Sequence, residues 1–245
     1  MVAIMKRGLQ ITTILLLISI SCVFGQFKYG ADLYSRYIWR GMDCGNSPAI
    51  QPSVTYSFCG FSVGFWGSYS LAETTNPADN KKSTYSENDF IASYTLNLAK
   101  SGSVSVYFTD YYTPYTGRPF SYYKPENGSG AAHTLEPGIG YTGPEKLPVS
   151  IIYYQNVSND PDNSAYIQAA YPFTINETTL TLSAGYVTKK SSYYYADQAG
   201  FINLGINVAK SIPVTEKFSI PINVSYINNP ALDVSYLVFG LGFTF

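Results

Sequence analysis

Asp32 and Arg36 are the first residues of the chain whose types and spacing suggest a chemical role. They lie four positions apart in a segment where apolar and polar residues alternate, so a strand places both on one face, with Tyr34 between them. Opposite charges on an inward polar face either pair with each other or line a path for ions and solutes. We predict that Asp32, Tyr34 and Arg36 face a polar interior, and an Asp32–Arg36 ion pair is the purely structural interpretation.

Trp66 and Glu136 have the same inward parity on later segments. Glu136 is expected nearly opposite Arg36 across the interior, and opposed charges that line a pore set its ion preference. Three further aromatic residues with inward parity narrow the predicted interior: Tyr154, Tyr166 and Phe201. The candidate lumen residues are therefore Asp32, Tyr34, Arg36, Trp66 and Glu136.

His133 is the only histidine in the chain and the natural candidate for acid–base chemistry. Outer-membrane phospholipases use a Ser and a His on the lipid side of a barrel, and a nucleophile needs its base within hydrogen-bond reach. No serine stands out as a partner, so we prefer a rim histidine without a catalytic role. The sequence also contains no Cys/His cluster, metal loop or phosphate-binding Gly loop. We predict no catalytic residue, no metal and no cofactor.

Alternation with a period of two residues dominates the chain after Gln26, as expected of strands with one apolar and one polar face. Short connections alternate with longer ones, which is typical of outer-membrane barrels. We predict an all-β fold, a transmembrane antiparallel up-and-down β-barrel. Its twelve strands are expected near residues 27–39, 48–58, 60–70, 86–98, 102–112, 131–142, 147–157, 163–173, 180–186, 202–208, 218–226 and 232–245.

A β-sandwich is the alternative architecture, because alternation shows two faces without showing which one lies inside. The polar faces are rich in Gly and Ser rather than Lys and Glu, whereas the exposed faces of a soluble sandwich need charge. Tyrosines cluster near the segment ends, as they do in the aromatic girdles of membrane barrels. These features favour the barrel.

Residues 1–25 are typical of a cleavable signal peptide, with Lys6 and Arg7 ahead of the apolar run 11–20 and small residues before Gln26. That run is too short for a transmembrane helix, and lipidation of Cys22 is the weaker interpretation. The barrel domain then spans residues 26–245. Its 13 Lys and Arg against 16 Asp and Glu give a net charge of −3, without a basic stripe for nucleic acid.

The chain ends in VFGLGFTF, whose spaced apolar positions resemble the C-terminal signal that outer-membrane proteins present to the barrel assembly machinery. Gly240, Phe243 and Phe245 match that signal, and Val238 departs from it. Closure of a barrel pairs the last strand with the first, so this end needs no polar tail. We expect outer-membrane lipid and the barrel assembly machinery as partners.

Two further predictions concern the first hairpin. If the first strand runs to residue 39, Trp39 lies on its lipid face and anchors the barrel at the outer membrane interface. Cys44 and Cys59 flank the second strand, whose length keeps their sulfur atoms too far apart for a disulfide. We predict that both thiols are unpaired.

The segment from residue 35 to residue 70 contains Ser-x-Tyr-Ile-Trp-Arg-Gly, then Pro-Ala-Ile-Gln, then Gly-Phe with a Trp soon after. This segment is similar to the start of the TorF-type family of proposed outer-membrane porins. The resemblance implies an outer-membrane barrel and the passage of a solute. It rests on Ser35, Tyr37, Trp39, Arg40, Gly41, Pro48, Ala49, Gln51, Gly60, Phe61 and Trp66.

Together these observations predict a bacterial outer-membrane barrel, exported through a signal peptide, that acts as a channel for a small hydrophilic solute. Two alternatives stay open. One is a lipid-active enzyme at the rim of the barrel. The other is a structural or adhesive barrel that acts through the Tyr-rich loops PFSYYKPENGSG and SSYYYADQ.

Overall fold

The computed structural model describes residues 25–75, 82–124, 130–216 and 218–244, which form a closed antiparallel barrel. The predicted all-β fold is confirmed. Residues 1–24 of the predicted signal peptide and the terminal Phe245 lie outside the described residues. The twelve strands are β1 (Gln26–Tyr34), β2 (Ala49–Phe58), β3 (Phe61–Ser70), β4 (Ser86–Asn97), β5 (Ser103–Tyr112), β6 (His133–Thr142), β7 (Ser150–Gln155), β8 (Ala165–Ile175), β9 (Thr178–Val187), β10 (Gly200–Thr215), β11 (Phe218–Asn229) and β12 (Val234–Thr244).

Each strand pairs with its neighbours in sequence, and β1 also pairs with β12, which closes the sheet. The β1–β12 register places Leu33 opposite Leu241 and Asp32 opposite Gly242. On its other side β1 pairs with β2, where Asp32 lies opposite Gln51. Closure removes the unpaired strand edges that lipid could not hydrogen-bond.

Alternation along the strands produces an apolar outer surface. Phe27, Phe65 and Phe239 are 69%, 59% and 54% exposed, although a soluble domain rarely exposes a continuous surface of such side chains. Their neighbours in sequence point inward and are mostly small or polar. An apolar outer band around a polar interior is the surface of a membrane-spanning barrel. No helix in the described residues is long and apolar enough to cross a membrane.

The connections at the two ends of the barrel differ in length, as predicted. One end carries tight turns such as Cys59–Gly60 and Asn176–Glu177, whose residues have positive φ angles. The other end carries the longer connections, which join β3 to β4, β5 to β6 and β9 to β10. In outer-membrane barrels the short turns face the periplasm and the longer loops face outward, and we name the two rims accordingly.

Phe201 has a different orientation from the one predicted. The β9–β10 register shifts between Gly185 and Tyr186, which marks a bulge. A bulge adds a residue to one strand, so inward parity is reversed beyond it. Phe201 therefore faces outward, is 50% exposed and packs edge-on against Tyr186.

The first strand is shorter than predicted. It ends at Tyr34, and residues 35–48, which we call the plug, turn into the barrel interior. Within the plug, Ile38–Trp39 pairs with Met42–Asp43 in a small hairpin. Gly41, in the turn of that hairpin, has a φ angle of +80°, and an added Cβ would lie 2.0 Å from the carbonyl oxygen of Ile202 on β10. Only glycine permits this conformation and this close approach.

The two predicted free thiols differ in state. Cys44 is free, whereas Cys59 is disulfide-bonded, so the prediction is wrong for Cys59. The strand-length argument excluded a bond between Cys44 and Cys59 but did not address other partners. The β1–β2 register pairs Gln26 with Ser57, so the start of β1 lies beside the Cys59 turn, which that argument overlooked.

Candidate functional site

A buried ion pair between Arg40 and Glu136 holds the plug to the barrel wall. Arg40 Nη1 lies 2.6 Å from Glu136 Oε1 and Nη2 lies 2.7 Å from Oε2, so the contact is bidentate. The side chain of Glu136 is fully buried, and that of Arg40 is 8% exposed. The Tyr111 hydroxyl of β5 donates a further hydrogen bond to Glu136 Oε2 at 2.9 Å. Because both charges are removed from water, loss of one leaves the other unpaired at high energetic cost.

Aromatic rings surround the guanidinium group of Arg40. Its Cζ atom lies 4.6 Å from the ring centre of Trp39, 4.5 Å from that of Tyr154 and 4.4 Å from that of Tyr166. Tyr194, from the outer loop 188–199, accepts a hydrogen bond from Arg40. Burial alone would lower the pKa of Arg40, but the surrounding phenol and carboxylate oxygens raise it well above its usual value. The group is therefore a permanent cation among ring faces that attract it.

Trp39 lies inside the barrel, so its predicted role as a membrane-interface anchor is wrong. Its ring packs edge-on against Tyr111 at 5.5 Å and stacks on Tyr194 at 5.7 Å. The prediction assumed that β1 runs through residue 39. Because β1 ends at Tyr34, strand parity no longer determines where this side chain points.

A second contact joins the plug to β4. The Tyr37 hydroxyl donates to Glu87 Oε1 at 3.4 Å, and Tyr85 donates to Oε2 of the same group. Asp89 lies two residues beyond Glu87 on the same inward face of β4, and each residue is 4% exposed. The plug therefore covers two buried carboxyl groups on one strand.

Further plug contacts reach the opposite side of the barrel. Asn229 of β11 is fully buried and donates from Nδ2 to the Gly41 carbonyl oxygen at 3.1 Å. On the near side, Tyr37 also packs against Trp66 of β3, the strand next to β4, with ring centres 5.2 Å apart. The plug thus spans the interior in the outer half of the barrel. Inward residues of the periplasmic half, such as Asn207, remain partly exposed.

Arg36 does not form either of the contacts predicted for it. It pairs with Asp43 and Asn46 inside the plug, rather than with Asp32 or Glu136. The prediction is wrong because Arg36 lies beyond the end of β1 and turns with the plug. Asp32 has no ion-pair partner within the part of the chain that the structure describes.

The other candidate lumen residues face the interior. Tyr34 accepts a hydrogen bond from Asn223 Nδ2 at 3.3 Å, while Trp66 and Glu136 contact the plug. Their part in solute passage stays a prediction. The sequence reasoning missed Arg40, although the Arg-Gly turn after Trp39 and an inward Glu136 without an assigned partner were signals that could have identified it.

His133 is engaged at both ring nitrogens. Its Nδ1 lies 2.7 Å from Asp110 Oδ1, and its Nε2 lies 2.6 Å from the carbonyl oxygen of Phe120. A carbonyl oxygen only accepts, so Nε2 carries a proton and cannot serve as a base. Tyr123 stacks on the buried ring at 3.7 Å. These contacts give His133 a packing role beneath the outer loop 113–124.

Comparison with known proteins places the chain in a family. Residues 24–237 match the family described as "Bacterial protein of unknown function (Gcw_chp)". The chain belongs to the Gcw_chp family. The TorF-type resemblance stays a prediction, because the matched family carries another name. No curated protein matches the chain.

Solved porin structures share the fold of this Gcw_chp protein. One, titled "KdgM porin", has a TM-score of 0.51 and 10% sequence identity over 91% of this chain and 98% of its own. Another, "KdgM porin in complex with disordered oligogalacturonate", has a TM-score of 0.52 and 11% identity over the same shares. At this identity the likeness concerns the fold alone.

Proposed function

We propose that this Gcw_chp protein is an outer-membrane channel for a small hydrophilic solute, and that the plug closes it. The proposal rests on the difference between the two halves of the barrel interior. Its periplasmic half is polar and partly exposed, whereas its outer half is filled by the 14 residues 35–48. Side-chain contacts of Arg40, Tyr37 and Asn229 hold the middle of this segment to the wall. Its main chain is hydrogen-bonded to the barrel backbone at its two ends, through Ser35 and Pro48. A segment attached in this way can leave while the barrel stays closed.

Three further observations support the location and the activity. The predicted signal peptide and C-terminal assembly signal fit an exported barrel. The apolar outer band fits a membrane. The solved structures with this fold are porins, and one of them is described in complex with oligogalacturonate.

The two alternative functions receive less support. A lipid-active enzyme needs a base, and Nε2 of His133 is already committed as a donor to Phe120. An adhesive surface needs exposed tyrosines, but Tyr194 of SSYYYADQ is fully buried against the plug and Tyr193 packs beside it. The tyrosines of that loop are thus partly used inside the barrel.

Planar bilayers test the proposal directly. We expect purified wild-type protein to show rare or small conductance steps, and Arg40→Ala to open far more often because the main plug contact is lost. Arg36→Ala is the matched control, since the described side-chain contacts of Arg36 lie within the plug and its side chain is 40% exposed. Heat-modifiable mobility in gels confirms that each variant is folded. Folded barrels that never conduct, with or without Arg40, would overturn the channel.

A further inference from the structure

The charges of the plug and of the barrel wall are segregated. The plug contributes Arg36 and Arg40, and Asp43 already neutralises Arg36. The wall contributes Glu136 on β6 and the Glu87–Asp89 pair on β4, and Arg40 is the basic partner of Glu136. Among the described residues, no Lys or Arg forms an ion pair with Glu87 or Asp89. If the plug leaves, its arginines leave with it, and the carboxyl groups stay.

These carboxyl groups lie on β4 and β6, and Tyr111 of the intervening strand β5 connects them. Asp89 of β4 lies opposite Tyr111 of β5 in the ladder, and Tyr111 donates to Glu136 of β6. One oxygen of Asp89, Oδ1, is buried without a hydrogen-bond partner. An unpaired buried acceptor is costly, and here it belongs to a group that would face the lumen once Tyr37 withdrew from Glu87. These carboxyl groups therefore have unused capacity to accept hydrogen bonds or to hold a cation.

Arg40 shows what the wall can bind. Its guanidinium takes two hydrogen bonds to Glu136 and lies on the ring faces of Tyr154 and Tyr166, all of which belong to the wall. Carboxylate oxygens beside aromatic faces are a recognition site for organic cations. The plug occupies this site with a group of its own. A solute with a guanidinium or amino group could make the same contacts and compete with Arg40.

We infer that the wall site formed by Glu136, Tyr111, Tyr154 and Tyr166 binds cationic solutes, and that the open lumen prefers cations to anions. This inference rests on the proposed channel function. It distinguishes the protein from a porin for polyanionic sugars such as oligogalacturonate, because the carboxyl groups on the wall would repel them. Lys28 is the one inward basic residue of β1 and lies near the periplasmic end, away from this site.

Selectivity of the open channel tests the inference. In the Arg40→Ala background, the reversal potential under a KCl gradient should show cations permeating several-fold better than anions. Adding Glu136→Gln, or Glu87→Gln with Asp89→Asn, should reduce that preference. Asp110→Asn, a carboxylate on the outward face of β5, is the matched control and should not. A conducting channel that prefers anions, or whose preference ignores these substitutions, overturns the inference and leaves the channel function intact.

A second measurement uses the wild-type protein, so it does not depend on the folding of a variant. Argininamide, which carries a guanidinium group and no carboxylate, should displace Arg40 and speed maleimide labelling of Cys44 in the plug. Glucose and glucuronate at the same concentration should have no effect. Acceleration by all three compounds, or by none, would contradict competition at the wall site.

Discussion

Arg36 and Arg40 are four residues apart in the same segment, and each forms an ion pair, but their surroundings differ. The Arg36 side chain is 40% exposed, whereas Arg40 and Glu136 are almost completely buried. Exposed pairs contribute little because water and salt screen them. In a buried pair, removal of one partner leaves the other charge unpaired in a medium of low polarity. Burial, more than charge or spacing, decides which arginine holds the plug.

This contrast predicts different stabilities for two matched variants. Arg40→Ala should lower the free energy of unfolding by roughly 3–5 kcal/mol, the usual cost of breaking a buried pair. Arg36→Ala should change it by less than about 1 kcal/mol. Urea titration in detergent, followed by tryptophan fluorescence, measures both values. Equal losses in the two variants would show that burial of the Arg40–Glu136 pair is not important for stability.

Because Gly185 has no side chain, the Tyr166 ring has room to lie beside Arg40. A Cβ at Gly185 would come within 1.9 Å of the Tyr166 hydroxyl oxygen, and the Tyr166 ring is fully buried and cannot move away. Gly185→Ala should therefore cost about 1–3 kcal/mol through overpacking. Gly200→Ala is the control, since nothing lies within 4 Å of its Cβ position. Thermal unfolding of the two variants compares them, and a Gly185→Ala protein as stable as Gly200→Ala would contradict this packing.

At the scale of elements, the plug and the outer loop 188–199 act together. Tyr194 of that loop is fully buried, stacks on Trp39 and accepts a hydrogen bond from Arg40. Backbone pairing within each described segment is short: the plug hairpin contains two residue pairs, and the loop contains one isolated bridge, Ser191–Ala196. Their order depends on each other and on the barrel wall. We therefore expect them to leave the lumen as a unit.

Cys44 reports the position of the plug. Burial, followed by the neighbouring Glu87 carboxylate, raises the pKa of its thiol well above the ordinary value. Maleimide reacts with the thiolate, so Cys44 of the folded protein should label much more slowly at pH 8 than an unfolded cysteine of ordinary pKa near 8.5. As the pH is raised, the labelling rate should increase at a lower pH for the unfolded chain than for Cys44 in the folded protein.

The Arg40→Ala variant should remove this protection and label at close to the unfolded rate, while Arg36→Ala should label like the wild type. Cys59 is the other cysteine of residues 26–245, so mass spectrometry of the labelled peptides assigns the signal to Cys44. Rapid labelling of wild-type Cys44 at neutral pH would show that the plug does not cover this residue.

At the scale of the whole molecule, closure gives the barrel two distinct rims. The β1–β12 ladder leaves no free edge, and the apolar band keeps the strands within the membrane. On the outer surface of the barrel, the connections at the two ends extend beyond the apolar band, and their lengths differ. The orientation of the barrel therefore determines which lysines an external protease can reach.

Trypsin added to intact cells should cleave after Lys189 or Lys190, which are exposed on an outer loop. It should spare Lys100 and Lys146, which are equally exposed but lie on the short turns of the other rim. Permeabilised cells supply the control, because all four sites should then be accessible. Cleavage at Lys100 or Lys146 in intact cells would reverse the proposed orientation, and mass spectrometry of the fragments distinguishes the two patterns.

The sequence by itself determined the barrel. Strand alternation is a local property, because successive side chains point to opposite faces whatever the rest of the chain does. The positions of the twelve strands, the apolar outer face and the inward orientation of Asp32, Tyr34, Trp66 and Glu136 could be predicted from that period and the lengths of the connections. The period also predicted an orientation for Trp39 and Phe201, and it failed where β1 ended early and where a bulge reversed the parity.

Only the tertiary structure decided what fills the lumen. Residues 35–39 continue the alternating pattern of β1, so nothing local marks the point where the strand ends. The plug turns inward because Arg40 forms an ion pair with Glu136, 96 positions later in the chain, and because Gly41 fits against Ile202. Such contacts depend on the closed barrel, which brings distant strands to the same cross-section. A sequence pattern shows which face a residue takes on its own strand, but not which residues will meet across the interior.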